Sequence, residues 1–121
     1  MLNDEQLLRY NRQLLLPSWD IAAQTRLADA SVLVVGLGGL GCPLAQQLVI
    51  AGVGRLVLAD FDTVELSNLQ RQMLHHDADI GRYKVESARD SLLALRSDVV
   101  IETLPQRVDE ALLQELLHSV D

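Results

Sequence analysis

The sequence predicts an α/β fold: three parallel strands in the order β-α-β-α-β-α, one half of a doubly wound sheet, preceded by two N-terminal helices. Three observations carry this. "VLVVGLGGLG" (Val32 to Gly41) is a β-branched, apolar run that breaks into glycines and passes into a helical pattern. "RLVLAD" (Arg55 to Asp60) is a second apolar run and stops on an acid. Around these, apolar residues recur at helical spacing, so strands and helices alternate.

Each element has its own signal. Asn3 is a helix cap, with Asp4 and Glu5 in the first turn, where the helix dipole favours acids. Leu7, Leu8, Leu14 and Leu15 then follow a helical period until Pro17 ends it. A second short helix is predicted over Ile21 to Asp29. Val32 to Val35 reads as a strand covered on both faces, as parallel strands are. A helix is predicted from Gly39 to Ala51, with Leu40, Leu44 and Leu48 stacked along one face, and Gly52 closes it. Arg55 to Asp60 is the second strand. Phe61 to Arg82 is irregular, with short helical turns. Tyr83 to Arg96 is an amphipathic helix with Val85, Ala88, Leu92 and Leu95 inward. Val99 to Leu104 is the third strand, and Asp109 to Val120 a last helix, apolar at Leu112, Leu113, Leu116 and Leu117.

Right-handed crossovers make such an order a parallel sheet of the Rossmann-like, mononucleotide-binding kind. One nucleotide-binding domain is expected over 1–121, with a helical segment (1–30) and a core (31–121). A further strand normally pairs beside the first, and without it Val32 to Val35 keeps an open edge. The chain is therefore expected to be the N-terminal part of a longer protein.

Composition narrows the function. Hydrophobic residues make up 49%, enough for a packed core. With 17 acidic and 10 basic residues the formal net charge is −7, and no basic stripe interleaved with aromatics occurs, so nucleic acid is not an expected partner. No apolar run reaches the roughly 20 residues that span a bilayer, and no membrane association is expected. The single cysteine, Cys42, forms no internal disulfide, which suits a reducing, cytoplasmic setting.

The glycine loop is the first functional signal. Gly36, Gly38 and Gly41 fit G-x-G-x-x-G: one glycine for the turn, one for close approach of phosphate, one for close packing of helix on strand. The helix N-terminus then offers N–H groups and a positive dipole to an anion. Asp60, 24 residues after Gly36, is placed to accept from ribose hydroxyls. The loop by itself does not distinguish NAD, FAD and ATP.

The stretch after the second strand discriminates better. "DFDTVELSNLQRQ" (Asp60 to Gln72) gathers Ser67, Asn68, Gln70, Arg71 and Gln72. Arg71 is a planar, permanent cation suited to phosphate, and Lys84 follows at a helix start. Together they suit a triphosphate whose charge grows as pyrophosphate leaves. Taken singly, Arg71 and Lys84 also read as ordinary surface charge. Arg9 and Arg12, three apart on an N-terminal helix, read by themselves as surface arginines paired with acids. Cys42 reads as buried packing. His75 and His76 lack an evident third ligand and read as solvated rather than metal-bound.

"RYNRQ" (Arg9 to Gln13), "VGLGGLGCP", "AGVG", "LADFDTVELSNLQRQ" and "DIGRYKVESA" occur in order. Together they resemble the ubiquitin-activating-enzyme-like adenylyltransferases, the MoeB/ThiF family, over nearly the whole chain. The resemblance implies an enzyme that uses ATP and Mg2+ to adenylate the C-terminal glycine of a ubiquitin-like sulfur-carrier protein. It implies that Gly39 contacts the nucleotide, that Asp60 takes the ribose, and that Asn68, Arg71 and Lys84 hold the phosphates. It implies that Arg12 reaches as a finger into the other subunit of a homodimer. The motifs lean toward the carrier of molybdenum cofactor synthesis over that of thiamine synthesis.

The chain also departs from the family. The magnesium-binding aspartate after a fourth strand lies beyond Asp121, as do the paired-cysteine zinc motifs and a cysteine-bearing loop, so Zn2+ belongs only to the C-terminal part. Relatives carry Gly-Gln at Ala23-Gln24 and often Asn-Pro at Ser97-Asp98. The 121 residues alone are expected to be marginally stable and inactive in adenylation. An NAD-dependent oxidoreductase is the alternative from the loop alone, but leaves Arg71, Lys84 and "RYNRQ" unexplained.

Overall fold

The computed structural model describes residues 2–121. Three helices open the chain: α1 (Asp4–Arg9), α2 (Asn11–Leu14) and α3 (Ile21–Asp29). The first predicted helix is thus divided at Tyr10, whose side chain is buried rather than carried on a surface helix. Asn3 caps α1: its Oδ1 accepts from Gln6 N at 2.8 Å, and Gln6 Oε1 accepts from Asn3 N at 2.9 Å.

The core follows as β1 (Ser31–Val35), α4 (Gly41–Ala51), β2 (Arg55–Ala59), α5 (Lys84–Leu95), β3 (Val100–Leu104) and α6 (Glu110–Leu117), with two 3-10 turns at Leu66–Asn68 and Asp77–Asp79. The strands form one parallel sheet in the order β1-β2-β3, with Val34 opposite Leu58 and Leu58 opposite Thr103. One face of the sheet (Val34, Leu56, Leu58) packs on Cys42, Ala45 and Val49 of α4 and on Val85, Ala88 and Leu92 of α5.

Three apolar expectations are corrected. In α4 the leucine row is only partly inward: Leu40 is 89% exposed and Leu44 52%, Leu48 packs at the edge of the core, and the small residues Cys42 and Ala45 turn inward to let the helix sit close on the sheet. In α5, Leu95 is exposed at the helix end although Val85, Ala88 and Leu92 are fully buried. β1 is not covered on both faces: Val35 is exposed, because the upper end of that face forms part of a cleft. α6 is only half-covered, through Leu112 and Leu116.

Buried polar groups tie the layers. Arg96, just past α5, sends Nη1 to Val49 O in the last turn of α4 and Nη2 to Val53 O just after it, both at 2.7 Å, so a guanidinium ties the end of α4 to the turn that follows. Gln24 Nε2 donates to Ala51 O at 2.9 Å, while Gln24 Oε1 accepts from Gln13 and Trp19. The N-terminal helices are thereby fastened to α4. After α6 the chain returns to β1, where Asp121 N donates to Ser31 O at 2.9 Å and Asp121 Oδ2 accepts from Ser31 N at 2.8 Å.

Candidate nucleotide site

Parallel strands all end on one side, and the loops leaving them surround a crevice there. Here the loops after β1, β2 and β3 enclose a cleft of about 530 Å³, with Gly36, Gly38, Asp60 and Lys84 in its wall. β1 turns into the loop at Gly36, where φ is +90°, a value that favours glycine. Gly41 starts α4 against that turn, and a Cβ there would lie 1.8 Å from Gly36 O. Nothing else fits where the helix meets the strand.

Among the described residues, no group accepts from the N–H of Gly38, Gly39, Leu40 or Gly41. These are the free donors of a helix start, and the first of them, at Gly38, lies in the wall of the cleft.

Asp60 is bonded on both oxygens. Oδ2 accepts from Leu37 N at 2.7 Å and Oδ1 from Asp62 N at 2.8 Å. The carboxylate therefore orients the loop as well as facing the cleft, with lone pairs left on each oxygen for hydroxyl donors. Lys84 opens α5 and is 7% exposed; its Nζ lies 3.9 Å from Asp62 Oδ2, a loose pairing with an exposed carboxylate. The ammonium keeps donors for an anion in the cleft.

The polar stretch after β2 folds over the glycine loop. A Cβ on Gly39 would sit 3.8 Å from Arg71 Cδ, and one on Gly38 would sit 3.8 Å from Gln72 Nε2. Arg71 and Gln72 thus lie over successive loop residues. Gln72 is buried, and its Oε1 is the one buried side-chain oxygen or nitrogen without a partner among the described residues.

The other expected residues stand apart. Asn68 is buried and its Oδ1 accepts from Glu65 N at 2.9 Å, closing a 3-10 turn; it does not line the cleft. Ser67 is exposed beside it. Arg12 is exposed on α2 and, among the described residues, pairs with no carboxylate, whereas Arg9 sits 3.7 Å from Glu5. Arg12 does not line the cleft of its own chain.

Two groups of residues escaped the sequence reading. Phe61, Gln106, Arg107 and Val108 complete the cleft, with the Arg107 guanidinium 4.6 Å from the centre of the Phe61 ring. The signal for them was position, since loops at the carboxyl ends of strands hold the ligands of such sheets. His75, expected in solvent, is 3% exposed behind the loop. Burial lowers its pKa from the ordinary 6.5, and burial raises that of the neighbouring Cys42 thiol to about 11. His76 is exposed as expected.

Among the described residues no three His, Cys, Asp or Glu side chains gather into a metal-binding group. No helix among the described residues is long and apolar enough to cross a membrane.

A family model, the ThiF family, matches residues 10–121, which hold the loop, the acid, the lysine and the stretch over the loop. This chain belongs to the ThiF family. It is 53% identical over 121 residues to the molybdopterin-synthase adenylyltransferase of Salmonella typhimurium, covering 98% of this chain and 49% of that protein. It is 52% identical over 120 residues to the adenylyltransferase and sulfurtransferase MOCS3 of Sus scrofa, covering 99% of this chain and 26% of that one. The chain thus spans half or less of the length of these ThiF-family relatives. Among solved structures, selenomethionine PaaA superposes with a TM-score of 0.92 at 38% identity, over 98% of this chain and 40% of that one. Escherichia coli MccB, solved with ATP, superposes with a TM-score of 0.70 at 31% identity, over 81% of this chain and 28% of that one. The Rossmann-like architecture of the ThiF fold is therefore the architecture of this chain.

Proposed function

We propose that this chain is the nucleotide-binding part of a cytoplasmic enzyme that adenylates the C-terminal glycine of a ubiquitin-like sulfur-carrier protein, the one serving molybdenum cofactor synthesis. The observation that carries the reading is the row of four free N–H groups at Gly38 to Gly41, flanked by Arg71 over the loop and Lys84 across the cleft. A dinucleotide's pyrophosphate needs the loop alone, whereas a triphosphate that loses pyrophosphate needs added cations. The names of the adenylyltransferase relatives and the ATP-bound MccB support the same choice.

The chemistry asks little covalent help of the protein. A carrier carboxylate oxygen attacks the α-phosphorus, the bond from that phosphorus to the bridging oxygen breaks, and pyrophosphate leaves with the electron pair. The carboxylate is already a nucleophile, so positioning and charge neutralisation suffice. Gly36, Gly38, Gly39 and Gly41 shape the phosphate cradle, Asp60 takes ribose hydroxyls, and Lys84 and Arg71 neutralise the leaving group, with Ser67 and Asn68 supporting the Arg71 turn. Cys42, fully buried with its thiol pKa raised to about 11, takes no covalent part. Among the described residues the acids do not form a metal cage, so a magnesium ion would enter on the phosphates and add charge neutralisation there. Arg12, exposed and without a carboxylate partner among the described residues, acts across a homodimer in the second copy's cleft.

The test is carrier-dependent ATP–pyrophosphate exchange by the full-length protein with the molybdopterin carrier, the thiamine carrier or neither. Exchange with the molybdopterin carrier, lost in Arg71→Ala, is the expected result. Exchange only with the thiamine carrier moves the enzyme to that pathway. No exchange together with tight NAD binding overturns adenylation. Mixing Arg12→Ala with Arg71→Ala subunits tests the dimer: restored exchange requires Arg12 to act in trans.

A further inference from the structure

Leu37 lies between Gly36 and Gly38, and its backbone is gripped at both ends. Its N–H donates to Asp60 at 2.7 Å. Its carbonyl faces two donors, His75 Nε2 at 3.1 Å and Cys42 Sγ at 3.1 Å. A carbonyl only accepts, so this contact places the proton of neutral His75 on Nε2. Nδ1 is then an acceptor, and it lies 2.8 Å from Ser87 Oγ, whose hydroxyl donates to it. Leu37, Cys42 and Ser87 are fully buried and His75 nearly so. The three holding residues come from three places: the loop after β2, the first turn of α4 and the first turn of α5.

An imidazole with both nitrogens bonded inside a core is a specific arrangement. A leucine of similar size would fill the space, yet leave the Ser87 hydroxyl unpaired and the Leu37 carbonyl with a thiol as its sole partner. What the imidazole adds is direction: it sets the plane of the peptide that leads into Gly38, and so the aim of the free N–H groups after it. We propose that His75, with its tautomer fixed by Ser87, is a positioning residue for the nucleotide phosphates, acting through the Leu37 carbonyl. This rests on the nucleotide reading of the cleft.

The test uses the full-length protein with ATP as the probe. His75→Leu keeps the volume and removes the donor, while His75→Gln presents an amide N–H to Leu37 and a carbonyl to Ser87. Misaimed loop donors should raise KM for ATP about tenfold in His75→Leu, with kcat at saturating ATP changed less than about threefold. His75→Gln should return KM to within about threefold of wild type. Ser87→Ala, a smaller deletion that tests the relay even if His75→Leu fails to fold, should raise KM about three- to tenfold. Ring 15N spectra of the wild type should show neutral His75 protonated on Nε2. Unchanged KM in Ser87→Ala, or an Nδ1-protonated ring, overturns the inference while leaving the nucleotide reading intact. Wild-type protein that binds no ATP overturns the nucleotide reading and this inference with it.

Discussion

Asp60 and Leu37, 23 positions apart, are joined at 2.7 Å by a hydrogen bond from the Leu37 N–H to the Asp60 carboxylate. The acid at the end of β2 therefore holds the loop at the end of β1. Asp60→Asn keeps the size but leaves one of the two bonded N–H groups, Leu37 or Asp62, facing an amide N–H instead of an oxygen. A loss of about 1–3 kcal/mol is expected, read by urea denaturation, together with weaker ATP binding. Full stability in Asp60→Asn would mean that these bonds do not hold the loop.

The glycines of the loop separate by role. Gly41→Ala drives a methyl into Gly36 O and should destabilise the fold by about 1–3 kcal/mol or more. A methyl at Gly38 meets its nearest neighbour at 3.8 Å, so Gly38→Ala should melt near the wild type and lose ATP affinity instead. Melting curves and nucleotide titration on the two variants check this; equal melting temperatures would refute the packing role of Gly41.

Arg96 is 4% exposed and bonds Val49 O, Val53 O and the Asp98 carboxylate, each at 2.7 Å. Arg96→Met strands the Val53 carbonyl and leaves Val49 O with only its 3.2 Å bond from Gly52 N, and should cost about 1–3 kcal/mol by chemical denaturation. Arg96→Lys should recover only part, because an ammonium lacks the planar fork that reaches both carbonyls. A loss under about 1 kcal/mol in Arg96→Met would place the stability of that helix end elsewhere.

His75 is harder to protonate in the folded chain than in the unfolded one, because burial disfavours the charged ring. The unfolded state thus binds the proton first. The stabilising contribution is complete above the unfolded value of 6.5 and is lost as pH falls below it. The nearby charges are mixed: Lys84 opposes protonation, whereas Asp79 and Asp60 favour it. Asp79 behaves differently. Burial raises its pKa, but this is outweighed by hydrogen bonds from the His76 N–H and the Arg82 guanidinium, so its contribution persists until pH falls below the usual 3.8. Stability measured from pH 8 to pH 5 should therefore decline below about 6.5, and His75→Gln should flatten that limb. A wild-type profile flat through this range would refute the assignment.

The order of elements was legible because it depends on local chemistry. A β-branched run, a glycine turn, a helical period and an acid at a strand end each follow from neighbouring residues, and all three strands lie within a residue or two of their expected bounds. Gly36, Gly38, Asp60 and Lys84 were legible for the same reason, since a motif states both the residue and its place on an element, and the fold brings all four to one cleft.

Other features depend on contacts between distant segments. The leucine row of α4 resembles a core stripe on any helical projection, yet Leu40 and Leu44 are exposed, Leu48 reaches only the edge of the core, and Cys42, Ala45 and Val49 fill the contact with the sheet and α5. His75 is a polar residue in a polar stretch, and only the meeting of Leu37, Cys42 and Ser87 makes its burial favourable. Periodicity and motif chemistry are properties of a few adjacent residues and survive in the bare chain. Which face is buried, and which polar group finds partners there, are settled by segments dozens of residues away, whose arrival changes the cost of leaving water.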